Sequence, residues 1–273
     1  LPFIFLGRDA LDLSDATTID AAIARVSPDA IINAAAYTAV DAAESDHEAA
    51  RAINVTGPAF AAEIAAKRRI PFVHLSTDYV FDGTKNLPYV ETDSTNPLNM
   101  YGLTKRDGEA LILAHHPDAV ILRTSWVYSP FGKNFLRTML NLAQTRDSLS
   151  IVDDQIGAPT SALDIATACL SIINAKLSGH EGRGVFHMTG EGETSWAGFA
   201  QAAFDHTAAW REGKVPNVTP IPTADYPTPA RRPLNSRLNC DLLEATFGIR
   251  LPPWDKGMRE TLAVLRDEFG VTS

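Results

Sequence analysis

Tyr101 and Lys105 stand four residues apart in Tyr101-Gly-Leu-Thr-Lys105, at the start of a segment, Met100–His116, expected to be helical. Residues i and i+4 share a helical face, so the phenol and the ammonium can lie side by side. A free phenol has a pKa near 10 and is a poor proton shuttle at neutral pH. A neighbouring ammonium favours the phenolate, lowers that pKa and suits the tyrosine to general acid–base work. The same ammonium can hold a ribose. Of the six tyrosines only Tyr101 has a lysine four residues on, but a surface helix with an incidental pair gives the same spacing. Context has to decide between them.

That context is a set of strand ends. The run Val73–Ser76 leads into Thr77-Asp78-Tyr79, and the carboxyl end of a parallel strand is where open α/β sheets place ligands. A hydroxyl there can hydrogen-bond a carbonyl and polarise it for hydride attack, although Ser76 and Thr77 also suit a turn or a helix cap. Asn33-Ala-Ala-Ala36 follows another apolar run. Its small residues let a flat ring approach the backbone, or let a helix pack tightly on the sheet. Thr124-Ser125-Trp126-Val127-Tyr128 follows a third, where Trp126 is either an apolar wall for a sugar ring or core. Arg231, Arg232 and Arg237 crowd one Pro-rich stretch and suit the geometry of a diphosphate, against the alternative of a solvated loop.

The elements that must position these groups alternate through the first half. Strands are expected at Phe3–Leu6, Ala30–Asn33, Phe72–Ser76 and Ala119–Thr124, with helices at Thr17–Val26, Asp46–Arg69 and Met100–His116. Such alternation predicts βαβ units and an α/β, Rossmann-type doubly wound parallel sheet over residues 1–145. Residues 146–273 are expected to form mainly a smaller mixed α/β domain for substrate, some segments returning to the first. Helices are expected near Leu163–Leu177, Trp196–Ala209 and Lys256–Asp267. The run Pro216–Pro233 carries so many prolines that no regular structure is expected there.

Bulk properties narrow the classes. The 273 residues are 45% hydrophobic and 21% charged, which fits a globular chain and excludes disorder. A net charge of -9 argues against a nucleic-acid groove, and no stretch is long and apolar enough to span a bilayer. Cys169 and Cys240 have no metal or redox spacing, so a reducing cytoplasm is expected and no metal.

Together these residues resemble the extended short-chain dehydrogenases, and within them the dTDP-4-dehydrorhamnose reductases. The matching phrases are Asn33–Glu44, Ser76–Gly83, Pro97–Lys105, Arg123–Tyr128, Asp154–Thr160, Thr194–Trp196 and Thr228–Leu238, in family order over nearly the whole chain. The resemblance implies reduction by NADPH or NADH of the 4-keto group of a deoxysugar nucleotide, with Thr77, Tyr101 and Lys105 catalytic. It implies that Asp12, Leu13, Ala36, Tyr37, Thr38 and Leu75 line the cofactor, together with Tyr101 and Lys105. Arg8, at the end of the Phe3–Leu6 strand, is the residue expected to accommodate a 2′-phosphate. Val40, Thr77, Asp78 and Trp126 are implied to face the sugar nucleotide, and Arg231 and Arg232 are added for the diphosphate. The partner is thus a small-molecule sugar nucleotide, with no nucleic acid and no membrane, and a homodimer is left open. Two other functions fit the same resemblance: a non-catalytic binding subunit, and a sugar-nucleotide epimerase or dehydratase that retains its NAD. Tyr79 following Asp78, where a 4,6-dehydratase carries Glu, weighs against the dehydratase.

The sequence departs from the family at its front. The family's opening strand and Gly-x-x-Gly-x-x-Gly turn, whose N–H groups cradle a pyrophosphate, are not found, and the sequence starts at Leu1. The expectation is that Phe3–Leu6 is the fold's second strand and that roughly 25 further residues precede it in the native polypeptide.

Overall fold

A computed structural model describes residues 2–211 and 213–269. Helix α1 (Ala16–Val26) begins where the Asp15 carboxylate accepts from Thr17 N–H, and ends at Ser27 in the left-handed region. It is followed by β1 (Ile31–Asn33), the short helices α2 (Val40–Ala43) and α3 (His47–Arg51), and α4 (Gly57–Arg68). Then come β2 (Phe72–Thr77), α5 (Met100–His115) and β3 (Val120–Thr124).

The rest of the chain adds β4 (Val127–Tyr128), α6 (Phe135–Leu142), β5 (Ser148–Val152), β6 (Ile156–Gly157) and β7 (Thr160–Ser161). These lead to α7 (Ala162–Leu177), β8 (Gly184–His187), β9 (Thr194–Ser195) and α8 (Trp196–His206). The last elements are β10 (Asn217–Ile221), β11 (Asn235–Ser236), α9 (Asp241–Phe247) and α10 (Trp254–Leu265).

The main sheet has the order β1-β2-β3-β8, all parallel. Helices cover both faces, as the alternation of elements predicts for a doubly wound sheet. Phe72 and Ile121 face α1, α4 and α5 with Ile19, Ile64 and Ile112. Val73, Leu122 and Phe186 face α7 with Ile165 and Ile172. Burying each such side chain contributes about 1.5–3 kcal/mol, and β3 is buried along its whole length.

The smaller mixed part gathers around Tyr128, Leu136, Phe199, Met258 and Leu262. Its sheets are small: β4 with β7, β5 with β10, and β11-β6-β9, in which β6 and β9 run antiparallel. By contrast β8, from late in the sequence, completes the main sheet.

Three expectations are corrected. Phe3–Leu6 is not a strand: Phe3, Ile4 and Phe5 are exposed, and β1 pairs only with β2 among the described residues. An apolar run becomes a strand only when a neighbour satisfies its backbone. The helix expected over Asp46–Arg69 is broken by a π-turn at Ala52–Thr56. Pro58 has no N–H for the Asn54 carbonyl four residues back, so the regular ladder cannot run through. Finally, Asn217–Ile221 pairs with β5 despite Pro220. A two-stranded ribbon consists of edges, where a missing N–H can face outward at no cost.

Candidate active site

The site is built on one face of α5 laid over the end of β2. Asn99 caps the helix, its side-chain oxygen accepting from Gly102 N–H at 2.8 Å. Tyr101, Lys105 and Glu109 then recur at i, i+4 and i+8 and form one stripe. His74 and Ser76 alternate on the strand face beneath it. Lys105 Nζ lies 3.0 Å from His74 Nε2 and donates to the Leu75 carbonyl at 2.7 Å. Ser76 Oγ donates to Glu109 Oε1 at 2.5 Å, and Arg123 of β3 meets the same carboxylate with Nε at 2.9 Å and Nη2 at 2.6 Å.

Two glycines allow this close approach. A Cβ on Gly102 would come to 2.1 Å from the Tyr79 carbonyl oxygen, and one on Gly108 to 2.1 Å from the Asn54 carbonyl oxygen. The second oxygen is the one that Pro58 leaves without a ladder partner. The Asn54 side chain completes the seam, accepting from Tyr37 N–H at 2.8 Å and donating to Thr104 Oγ1 at 3.0 Å.

Thr77 ends β2 and is 5% exposed. Its hydroxyl donates to Asp78 Oδ1 at 3.0 Å and accepts from Tyr79 N–H at 3.2 Å. Tyr101 is half-buried, edge-on to Tyr79 with ring centroids 5.8 Å apart. Burial pushes its pKa up to about 12, opposed by a hydrogen bond with Thr77 and reinforced by the Asp78 charge. This corrects the expectation that Lys105 lowers it. Lys105 is itself 1% exposed, brought down to about 8 by burial against the pull of Glu109; it donates to the Leu75 carbonyl and is in hydrogen-bond contact with His74. In this structure the phenol is therefore a protonated acid at neutral pH.

Asp78 is raised to about 7 by burial, against the hydroxyls of Ser236 and Thr77. Its folded pKa lies above the unfolded value of 3.8. The unfolded chain thus releases this proton first, and stability falls as pH rises from about 4 to about 7. Asp78→Asn, which mimics the protonated acid, is expected to match wild-type stability at pH 4 and to exceed it increasingly up to pH 7, by an amount on the order of a few kcal/mol. Denaturant midpoints across that range check this, and a pH-independent difference would refute it.

Five of the expected cofactor residues, Arg8, Asp12, Leu13, Ala36 and Thr38, are among those lining a cavity of about 850 Å³ that runs along β1 past its carboxyl end, with Ile23, Val26, Ile31 and Ile32 also in its wall. Pockets for small molecules run from roughly 300 to 1,000 Å³. Ala34–Ala36 present it with backbone and methyl groups alone. Asp12 is held ionised by the hydroxyl and N–H of Ser14 and then by Arg8, whose Nε lies 3.2 Å away. Leu75 touches Lys105 through its carbonyl, and Tyr37 turns to Asp46 instead, its OH donating at 3.1 Å. The residues suited to a nucleotide, the small Ala34–Ala36 and the exposed Arg8, share this cavity with a larger apolar lining that includes Leu6, Ile23, Val26, Ile31 and Ile32.

On the sugar side the structure redistributes the candidates. Val40 opens α2, and the next residue, Asp41, binds Arg232 with Nη2–Oδ2 at 2.9 Å and Nη1–Oδ1 at 3.2 Å. Arg232 also donates to the Thr228 hydroxyl, so it ties the Pro-rich loop to the first half of the chain. Arg231 is exposed, and its carbonyl accepts from the Asn99 side chain at 2.7 Å. Arg237 donates to Asn235 Oδ1 at 2.8 Å and the Asn86 carbonyl at 2.8 Å. Trp126, with φ +49, stacks on Trp196 at 3.7 Å, and a Cβ on Gly157 would come to 2.7 Å from its ring.

Thr77, Asp78 and Tyr101 therefore meet at the end of β2, Lys105 lies one helical turn along α5 against His74 and Leu75, and the cavity residues form a second group beside β1. Sequence reasoning missed His74, Glu109 and Arg123 as parts of this site. Their signal was polar residues inside apolar runs: His74 in Phe-Val-His-Leu-Ser, and Arg123 in Ile-Leu-Arg-Thr. No group of three metal-ligand side chains occurs among the described residues, and no helix there is long and apolar enough to cross a membrane.

Comparison with known proteins shows which family the chain is similar to. The family model described as RmlD substrate binding domain matches residues 2–267. A dTDP-4-dehydrorhamnose reductase of Sinorhizobium fredii (strain NBRC 101917 / NGR234) is 49% identical over 264 residues, covering 95% of this chain and 88% of that protein. The crystal structure of a dTDP-4-dehydrorhamnose reductase from Clostridium acetobutylicum superposes with a TM-score of 0.89 at 37% identity, covering 96% of this chain and 90% of the other. One from Bacillus anthracis, solved in complex with NADP, gives 0.86 at 32% identity, with 95% and 89% covered. The chain belongs to the dTDP-4-dehydrorhamnose reductase family, NAD(P)H-dependent oxidoreductases of the extended short-chain dehydrogenase type.

Proposed function

We propose that the chain reduces the 4-keto group of dTDP-4-dehydro-6-deoxy-L-mannose to give dTDP-L-rhamnose. The observation that carries this reading is the convergence of the Thr77 hydroxyl and the protonated Tyr101 phenol at the end of β2, beside a buried lysine. NAD(P)H, when bound, supplies the hydride. Thr77 orients the carbonyl by turning its hydroxyl proton from Asp78 to the carbonyl oxygen, a bond that strengthens as negative charge develops there. Tyr101 gives its proton to that oxygen, and Lys105 steadies the phenolate left behind and the cofactor ribose. Val40, Asp78 and Trp126 face the sugar nucleotide. Arg231 meets the diphosphate, joined by Arg232 if the phosphate displaces Asp41.

The test is consumption of added NADPH or NADH against a panel of 4-keto-6-deoxy sugar nucleotides. Stoichiometric consumption with formation of the 4-hydroxy product supports the reading. Turnover without net cofactor consumption would indicate an epimerase or dehydratase, and binding without turnover a non-catalytic subunit. Either result overturns it.

Arg8 carries the expectation on cofactor choice. Its side chain is 78% exposed beside Asp12, free to turn toward a 2′-phosphate. NADPH is expected to serve at least as well as NADH, and Arg8→Ala to raise KM for NADPH about tenfold with KM for NADH little changed, the loss of a charge-assisted contact at an exposed site. Equal effects on the two cofactors would refute the assignment.

A further inference from the structure

Asn33 and His74 are buried polar residues to which the chemistry above gives no role. They face each other in register across β1 and β2 and begin a continuous chain of contacts. Ala35 N–H donates to Asn33 Oδ1 at 3.2 Å, Asn33 Nδ2 lies 3.0 Å from His74 Nδ1, and His74 Nε2 lies 3.0 Å from Lys105 Nζ. His74 has no solvent exposure, and burial together with the Lys105 charge keeps its pKa well below the ordinary value. A neutral imidazole has one N–H and one lone pair, so its two partners cannot be chosen independently.

Two proton patterns satisfy the links of His74 to Asn33 and to Lys105, and they differ in the bond from Ala35. With Lys105 as the free amine, Ala35 N–H holds Asn33 Oδ1, Asn33 Nδ2–H donates to His74 Nδ1, and His74 Nε2–H donates to the amine lone pair. With Lys105 as the ammonium, Nζ–H donates to Nε2 and the imidazole proton sits on Nδ1. Asn33 must then turn its amide to present Oδ1, which releases Ala35 N–H. Passing from the first to the second takes up one proton at Nζ and relocates one from Nε2 to Nδ1. No other group changes charge.

We propose that Asn33 and His74 are positioning residues of a hydrogen-bond switch, in which the proton on Lys105 sets the tautomer of His74, the direction of the Asn33 amide and the freedom of Ala35 N–H. The inference rests on the reading of Lys105 as the partner of Tyr101. The titratable and charged groups acting on Lys105 are Glu109 on α5 and His74 on β2, with Arg123 on β3 behind Glu109; Tyr101 precedes it by one turn of α5, with Asp78 beside that phenol. Burial outweighs Glu109 and brings Lys105 to about 8, so both patterns are within reach of neutral pH. Ala35 lines the cavity beside β1, so a bound group that accepts its N–H favours the ammonium, and by reciprocity the ammonium favours that group.

The experiment titrates the ligand-free full chain over roughly pH 6 to 10, following lysine 13Cε shifts and two-bond 1H–15N spectra of histidine, the latter reporting which nitrogen is protonated. Lys105→Met and His74→Gln identify the resonances. His74 is expected to stay neutral while its proton moves from Nδ1 at low pH to Nε2 at high pH, with the same midpoint as Lys105. Asn33→Leu is expected to raise the Lys105 midpoint by about half a unit or more, because Asn33 bonds both Ala35 and His74 in the amine pattern but only His74 in the ammonium pattern, whereas added apolar bulk acting by desolvation alone would lower it. A single tautomer throughout, separate midpoints, or a lowered midpoint in Asn33→Leu overturns the switch. The wild-type titration decides alone if that variant does not fold. None of these readouts needs turnover, so a failure to consume NADPH or NADH with any 4-keto sugar nucleotide would refute the reductase reading without touching this result.

Discussion

Tyr101→Phe is expected to lower kcat by about 10² to 10⁴, the usual contribution of a positioned general acid, with little change in cofactor Kd. The phenol is the group whose proton and position both suit the task. With a pKa near 12 it carries its proton at neutral pH, which is the form a reduction consumes. An alkoxide is far more basic than a phenolate, so a weakly acidic phenol still gives its proton up readily. The ring is held edge-on by Tyr79 from the strand-end turn, and Gly102 lets the helix approach that turn. Phenylalanine keeps those ring contacts and removes only the hydroxyl, so a loss of rate reads on chemistry and not on packing. Steady-state kinetics with a separate fluorescence titration of cofactor make the measurement. Retention of more than about a tenth of wild-type kcat, where a positioned acid should supply at least 10²-fold, would remove Tyr101 from its role.

Glu109→Ala is expected to destabilise the fold by about 3–5 kcal/mol, the cost of leaving one member of a buried ion pair without the other. The side chains of Arg123 and Glu109 are 6% and 5% exposed. The carboxylate accepts from Ser76 and twice from Arg123 Nε, besides Nη2, and the guanidinium lies 5.1 Å from the Phe81 ring centroid. Removing Glu109 strands a charge between β3, β2 and α5, in a place water does not reach. Double replacement, Glu109→Leu with Arg123→Met, is expected to recover most of the loss, since taking both charges out of a buried pair is often neutral or better. Denaturant unfolding of the three proteins measures it. A single variant within 1 kcal/mol of wild type would show that water or a rearranged partner compensates the arginine.

Much of the scaffold was legible because its signals are local. Alternating apolar strands and longer helical segments mark βαβ units from residues 16 to 124, and the order of strand ends placed Thr77, Thr124 and Asn33 at one edge of the sheet. Tyr101 and Lys105 share a face because four residues make about one helical turn. The failures arose where a neighbour decides. Phe3–Leu6 has strand composition but no strand beside it among the described residues, and Asn217–Ile221 has loop composition but pairs with β5. In both, backbone pairing outranked residue type.

By itself, then, the sequence determined the class of sheet and, through its ordered phrases, the family, and it singled out Tyr101 and Lys105 as the pair to test. The tertiary structure decided the electrostatics. Spacing put an ammonium beside a phenol and suggested a lowered pKa, but burial raised the phenol to about 12, and the lysine nitrogen lies against His74 and the Leu75 carbonyl. Arg232, a phosphate candidate by residue type, is held by Asp41, 191 positions away. Desolvation and the choice among hydrogen-bond partners depend on which segments from distant parts of the chain close over a group, and no local spacing encodes that.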